Sequence, residues 1–384
     1  MDFKRVCLCF IIIFFVIIIP LKADAFTGLE SLNEAENLTK YLQIIDQELQ
    51  KYESGLSLAE LWRQLISGEK NFDIDLIKSF LSAVFFTEAA ASAGLLGRLI
   101  FLSVLSLLLT ELTSSFSKAQ VTVVARAVIF LALITQAVAS FSICAAACRN
   151  AIDLISGFFY AALPLLTVLL AATGGGAAAA VLHPALLFTV GIFLHILSYV
   201  VFPLLYFSAL LLPVSCLVPE FSLKKAAEFC KSLAMGLLKV GTTVFLAVLS
   251  MLGLGSAAAS GLAVKAAKTA GGIFIPIVGK PLADAADSVL ASALLIKNSL
   301  GMLSVAAILL LCAVPALKIL IQALLFRLAG VLVEPLGDKQ LAEALYGLGS
   351  SLMLFFAVLA ISGLLFYFLL VIMIFAGNAA VMFR

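Results

Sequence analysis

The sequence predicts an all-α integral membrane protein. The expected form is a polytopic helical bundle of about seven to nine spans or re-entrant segments, with a small extracytoplasmic helical region at its N-terminus. Three observations predict it. The 384 residues are 64% hydrophobic and 12% charged, with a mean hydropathy of +1.20. A soluble domain is nearer half apolar and about a quarter charged, so one aqueous core could not bury this much apolar surface. Long apolar runs recur from residue 94 to residue 375. Charge is also divided: residues 26–78 hold ten Asp/Glu against five Lys/Arg, a net of −5, and residues 79–384 hold ten against sixteen, a net of +6. An acidic translocated part beside a basic membrane part agrees with the positive-inside tendency.

Residues 1–25 read as a secretory signal. Lys4 and Arg5 precede an apolar run from Val6 to Ile19, and Ala23-Asp24-Ala25 is a small-x-small site that places cleavage after Ala25. The alternative is an uncleaved anchor helix. Residues 26–78 follow as an acidic, amphipathic-helical region. Ser31 and Glu34, then Ser57 and Glu60, have capping-box spacing. Each box leads into an apolar stripe, one through Leu38, Leu42, Ile45, Leu49 and Tyr52, the other through Leu58, Leu61, Trp62, Leu65 and Ile66. Helices this short need a partner surface. A third amphipathic stretch, residues 73–88, should lie in the interface and lead into the first span.

Residues 79–384 form the membrane domain. Its first three spans are expected at 94–112, 121–147 and 154–172. Residues 177–218 contain no Lys, Arg, Asp or Glu and would reach about 63 Å as one helix, twice the hydrocarbon thickness. The expected break is near Pro203, giving a pair that places Lys224, Lys225 and Lys231 in the cytoplasm; one bent helix would place them outside. Residues 233–259 form a further span, 300–333 exceed one crossing and hold Pro315, Lys318 and Arg327, and 349–375 form the last. The Ala/Gly-rich 171–180 reads as a tight joint.

Chemistry-bearing patterns are few. No GxSxG, HExxH, P-loop or dinucleotide fingerprint occurs, so no catalytic or cofactor-binding residue is assigned and a non-enzymatic protein is expected. His183 and His195 fall on different helix faces. Neither they nor Cys144 and Cys148 suggest a metal site, and the cysteines read as small packing residues. Cys7 and Cys9 lie in the signal, and residues 26–78 hold no cysteine, which argues against a disulfide framework. Arg98, Arg126 and Arg327 lie near ends of apolar runs, where snorkelling accounts for them. Gly253, Ala257 and Gly261 have small-xxx-small spacing, which suits close helix packing and self-association. Nothing points to nucleic acid.

Residues 271–298 read as a re-entrant or interfacial hairpin. Gly271 and Gly272 end one helix, Pro276 bends the apolar link, and Pro281 starts the next helix. Asp284, Asp287, Ser288 and Ser292 form a polar stripe on it. That stripe either faces a conduit or subunit contact, or is the solvated side of a surface loop.

Several of these stretches resemble one family. "LPLLTVLLAATGG" with His183-Pro184 after it, "FIPIVGKPLADAADSVLASALLIKNSLG" from Phe274, "EPLGDKQ" from Glu334 and "GSSLMLFF" from Gly349 are similar to the stage III sporulation protein AE family of endospore-forming bacteria, over roughly residues 80–384. The resemblance implies a multi-pass protein of the mother-cell membrane facing the forespore. It implies partners too: membrane lipid and the other subunits of a channel or secretion-like complex supporting late forespore development. It carries over no catalytic residue. The alternatives are a membrane scaffold without conduction, or a small-solute carrier, against which the lack of an inverted repeat argues.

Overall fold

In a computed structural model, the described residues are 40–47, 50–51, 74–115, 119–217, 223–271, 279–336 and 339–382; side chains within 253–297 and some shorter stretches lie outside the description. The described residues are helical almost throughout: α1 (Ile74–Ser115), α2 (Ala119–Leu170), a π turn (Ala171–Gly175), α3 (Gly176–Ile196), a second π turn (Leu197–Val201), α4 (Phe202–Leu217), α5 (Lys224–Gly271), α6 (Gly279–Val333), a 3-10 turn (Glu334–Leu336) and α7 (Lys339–Met382). Among the described residues six helices are long and apolar enough to cross a membrane: Ser82–Leu105, Val128–Thr173, Gly176–Cys216, Lys224–Leu252, Asn298–Val333 and Lys339–Phe375. The protein is therefore a polytopic helical membrane protein. Its outward face carries Phe86, Phe101, Phe188, Phe207 and Phe229, side chains suited to lipid rather than water.

Side-chain contacts define how the helices run. Gly330 lies against Ala342 and Tyr346, Gly349 against Ala323 and Arg327, Gly363 against Cys312, and Gly301 against Ile374. Positions on α6 fall as those on α7 rise, so the two are antiparallel along their shared length. Phe141 meets Phe355 and Phe159 meets Phe366, so α2 runs parallel to α7. Thr167 meets His183 at 3.2 Å and Ser142 meets Tyr206 at 3.1 Å. A straight helix would hold Thr167 and His183 about 24 Å apart, so the chain reverses at Ala171–Gly175, and α3 and α4 return along α2. Phe193 against Phe245 and Ser208 donating to the Ala227 carbonyl at 2.8 Å make α5 antiparallel to that return. Lys224 pairs with Glu343 at 2.6 Å, which brings the starts of α5 and α7 to one end. The short α1–α2 link completes a bundle whose successive helices alternate in direction.

Three expected divisions differ from the structure. The expected spans 121–147 and 154–172 are joined in one helix, α2, which ends at Leu170 just before the π turn: Arg149, Asn150 and Asp153 interrupt the apolar pattern, but no Pro or Gly there stops the backbone ladder. Pro203 does not split 177–218. Its ring lacks the N–H that would bond to residue 199, and the backbone widens into the π turn Leu197–Val201, with the Phe202 N–H donating to Leu197 O. Pro315 likewise sits inside the unbroken α6. The first two joins cancel in parity, so the single crossing over 176–217 still delivers Lys224, Lys225 and Lys231 to the end that holds the α1–α2 link. His183 lies within α3, bonded to Thr167.

The helix boundaries on either side of the opening of 271–298 agree with expectation: α5 ends at Gly271 and α6 begins at Gly279. The link 272–278 lies outside the described residues, as do residues 1–25 with Ala25, and both capping boxes. Of the first N-terminal stripe, residues 40–47 are helical, Ile45 is buried, and Tyr41 packs edge-on to Phe158 of α2.

Candidate functional site

The chemistry of this chain concentrates where α1, α2, α6 and α7 meet. Many hydroxyls elsewhere are satisfied locally, although Ser215 Oγ and Asn298 Oδ1 are buried without a hydrogen-bond partner. Ser103 donates to Leu99 O at 2.7 Å, Thr189 to Ala185 O at 2.7 Å and Ser362 to Val358 O at 2.8 Å, each one turn back on its own helix, the usual resolution for a hydroxyl in an apolar setting.

Glu88 of α1 and Lys318 of α6 are different. They approach to 3.5 Å from helices 230 positions apart in sequence. The Glu88 side chain is 11% exposed and that of Lys318 is 46% exposed. Lys318 lies between the levels of Ala323 and Cys312, which face Gly349 and Gly363; it therefore sits at the middle of the α7 span, Lys339–Phe375. It is about 22 Å along α6 from Val333 and about 30 Å from Asn298, too far to snorkel to either surface. A lysine at bilayer mid-depth costs about 2.5–3.5 kcal/mol on insertion scales. Glu88 offsets part of that cost by removing net charge.

Thiols line the inner side. Cys144 of α2 is buried. Cys148, one turn on, points its Sγ at Phe355 O of α7 at 3.4 Å, and Cys312 of α6 points at Leu359 O at 3.7 Å. All three are free. They let α2, α6 and α7 approach closely while supplying weak donors. Among the described residues no group of His, Cys, Asp and Glu could hold a metal ion. Arg149, Asp153 and Lys239 are exposed on α2 and α5 at neighbouring levels.

A second polar cluster marks the end where α5 and α7 begin. Besides Lys224 and Glu343, Arg327 stands 5.6 Å from the Tyr346 ring centre and donates to Ser350 Oγ at 3.4 Å. Arg327 thus has partners on α7 where the sequence suggested snorkelling alone. Arg98 is exposed on α1, and the Arg126 side chain lies outside the described residues.

The polar stripe Asp284, Asp287, Ser288 and Ser292 falls on the first turns of α6, and Gly253, Ala257 and Gly261 fall on the outer half of α5. Their side chains lie outside the described residues, so neither set is brought to a partner. Sequence reasoning missed Glu88 and Lys318 as a pair. The available signal was that each is a charge embedded in an apolar stretch.

The comparisons with known proteins follow the same outline. The family model for stage III sporulation protein AE matches residues 56–377. The chain is 32% identical to the stage III sporulation protein AE of Bacillus subtilis (strain 168) over 321 residues, 84% of this chain and 80% of that relative. No solved structure matches. The matched region runs from before α1 almost to the end of α7, taking in the mid-depth pair and the basic end: this chain belongs to the stage III sporulation protein AE family.

Proposed function

We propose that the protein is a non-enzymatic membrane subunit of a channel or secretion-like sporulation complex that links mother cell and forespore and supports late forespore development. The observation that carries the reading is the Glu88–Lys318 pair. A scaffold needs no charge at mid-depth, whereas intramembrane ionisable groups mark solute and ion paths by default. Family membership supplies the sporulation setting. A small-solute carrier would also use such a pair, but the sequence has no inverted repeat to rock about it.

The orientation follows from charge. Lys224, Lys225, Lys231, Arg327 and Lys339 gather at one end of the bundle, which is the cytoplasmic end by the positive-inside rule. Residues 40–47, at the level of Phe158 and thus of Phe366, belong towards the other end. The N-terminal region is then extracytoplasmic, as a cleaved signal requires, and the mother-cell membrane facing the forespore is the location. Other complex subunits and further copies of this chain are its partners.

The test is replacement of the resident family member in a sporulating host by this chain. Late forespore gene expression should be restored, and other sporulation membrane proteins should co-purify with it. Normal late expression in a host with no family member at all would remove the role. Conductance of the purified complex in planar bilayers separates a conduit from a scaffold.

A further inference from the structure

Lys318 presents an ammonium group to the outside of the chain at mid-depth, where lipid would be the worst neighbour for it. Its position relative to the apolar side of α6 says what that neighbour is. Met302, Leu309, Leu324, Leu328, Val331 and Leu332 are the exposed large apolar residues of that helix. At about 100° per residue they fall within about 140° of one another, and Lys318 points roughly 110° from the centre of that stripe, about 40° past Leu332 at its edge. The lysine therefore lies just past the edge of the lipid-facing stripe, on the flank where it meets Glu88 of α1. Its carboxylate partner is buried behind it on α1 while the amine is left open. A pair formed only to neutralise charge in the bundle would have both members covered.

We propose that the α1–α6 flank at Lys318 is a water-filled intramembrane site whose exposed ammonium takes small hydrated anions, and that this flank is a wall of the conduit. The proposal rests on the reading of the protein as a channel subunit and names the surface that lines the path. Water there solvates the open side of the amine, Glu88 fixes it in place, and the remaining positive face attracts anions. The lipid stripe on α6 is left free to meet the bilayer.

The experiment is thiol labelling of the full chain in membrane vesicles from sporulating cells, in a background whose native cysteines are replaced. Cysteine is placed at Lys318, and separately at Leu324 and Leu328 on the lipid stripe. The probe is the anionic, membrane-impermeant methanethiosulfonate ethylsulfonate. Only a thiolate reacts, and each unit by which an apolar setting raises a thiol's pKa cuts its thiolate about tenfold. Lys318→Cys should react at least about tenfold faster than Leu324→Cys or Leu328→Cys. Glu88→Gln with Lys318→Cys repeats the measurement without an uncompensated carboxylate, so a folding failure of the single variant does not decide the matter. Equal slow rates at all three positions in that double variant would overturn the proposal, because lipid or packed protein would then cover the flank. Late forespore expression restored by the unsubstituted chain, together with slow labelling, would reject the site while leaving the subunit role standing.

Discussion

Gly330 and Gly349 set the distance between the two central helices. A Cβ on Gly349 would sit 2.8 Å from the Ala323 carbonyl oxygen, and one on Gly330 would sit 2.9 Å from that of Ala342. The obstacle in both cases is backbone, which cannot turn aside. Gly349→Ala and Gly330→Ala should each cost about 1–3 kcal/mol through overpacking, seen as a lower unfolding midpoint in detergent. Gly94→Ala on α1 meets nothing within 4 Å and should hold or raise the midpoint, since alanine favours the helix. The ion pair makes a second residue-level prediction. Glu88→Gln strands the Lys318 ammonium beside a neutral group; with the lysine partly exposed, the loss should be about 1–3 kcal/mol. Adding Lys318→Gln should recover most of it, and a double variant no more stable than the single would show that the two side chains act independently. Neither feature was legible in the sequence. The seam glycines have no common spacing, because they come from two helices whose register only the fold supplies. Glu88 read as the tail of an amphipathic stretch and Lys318 as a divider, since nothing in a single sequence pairs charges 230 positions apart.

Helix ends were legible where a residue type forces them. Gly271 closes α5 and the Gly279–Pro281 segment opens α6 because glycine frees the backbone and proline suits a first turn. Prolines inside apolar runs misled: a proline can be absorbed by widening one turn when neighbouring helices hold both halves. The turn Leu197–Val201 does this for Pro203. Pro203→Ala restores an N–H that can bond one turn back, so the helix should relax to regular α geometry. Removing the extra residue from the turn rotates α4 by about 100°, taking Tyr206 away from Ser142 and Ser208 away from Ala227. A short cross-linker between cysteines at 142 and 206 should lose most of its yield in the Pro203→Ala variant; unchanged yield would mean that packing, not proline, holds the bulge.

At the scale of the molecule, composition alone announced a membrane bundle, and the structure differs mainly in how the apolar length is apportioned. Fewer, longer helices replace shorter segments because Arg149 and Asp153 looked like a connector, whereas both are accommodated on the outside of α2. The alternating directions give a sharp expectation for topology. A reporter active only in the cytoplasm should work when fused after Lys118, between α1 and α2, and should be silent after Lys70 or Gly272. Activity at Gly272 would invert the orientation of α5.

The reversal at Ala171–Gly175 bears on how the protein is made. An ordinary hairpin has to drag a polar loop through hydrocarbon before its second helix can settle. Here the joint is Ala-Ala-Thr-Gly-Gly, its threonine hydroxyl already bonded to the Leu170 carbonyl at 2.9 Å, and no ionisable group lies between Asp153 and His183 except Tyr160. With its backbone bonds closed within the turn, the joint has little to strip of water on the way across. The two arms can thus leave the insertion machinery as a preformed pair, and their delivery should need no membrane potential to carry charge over.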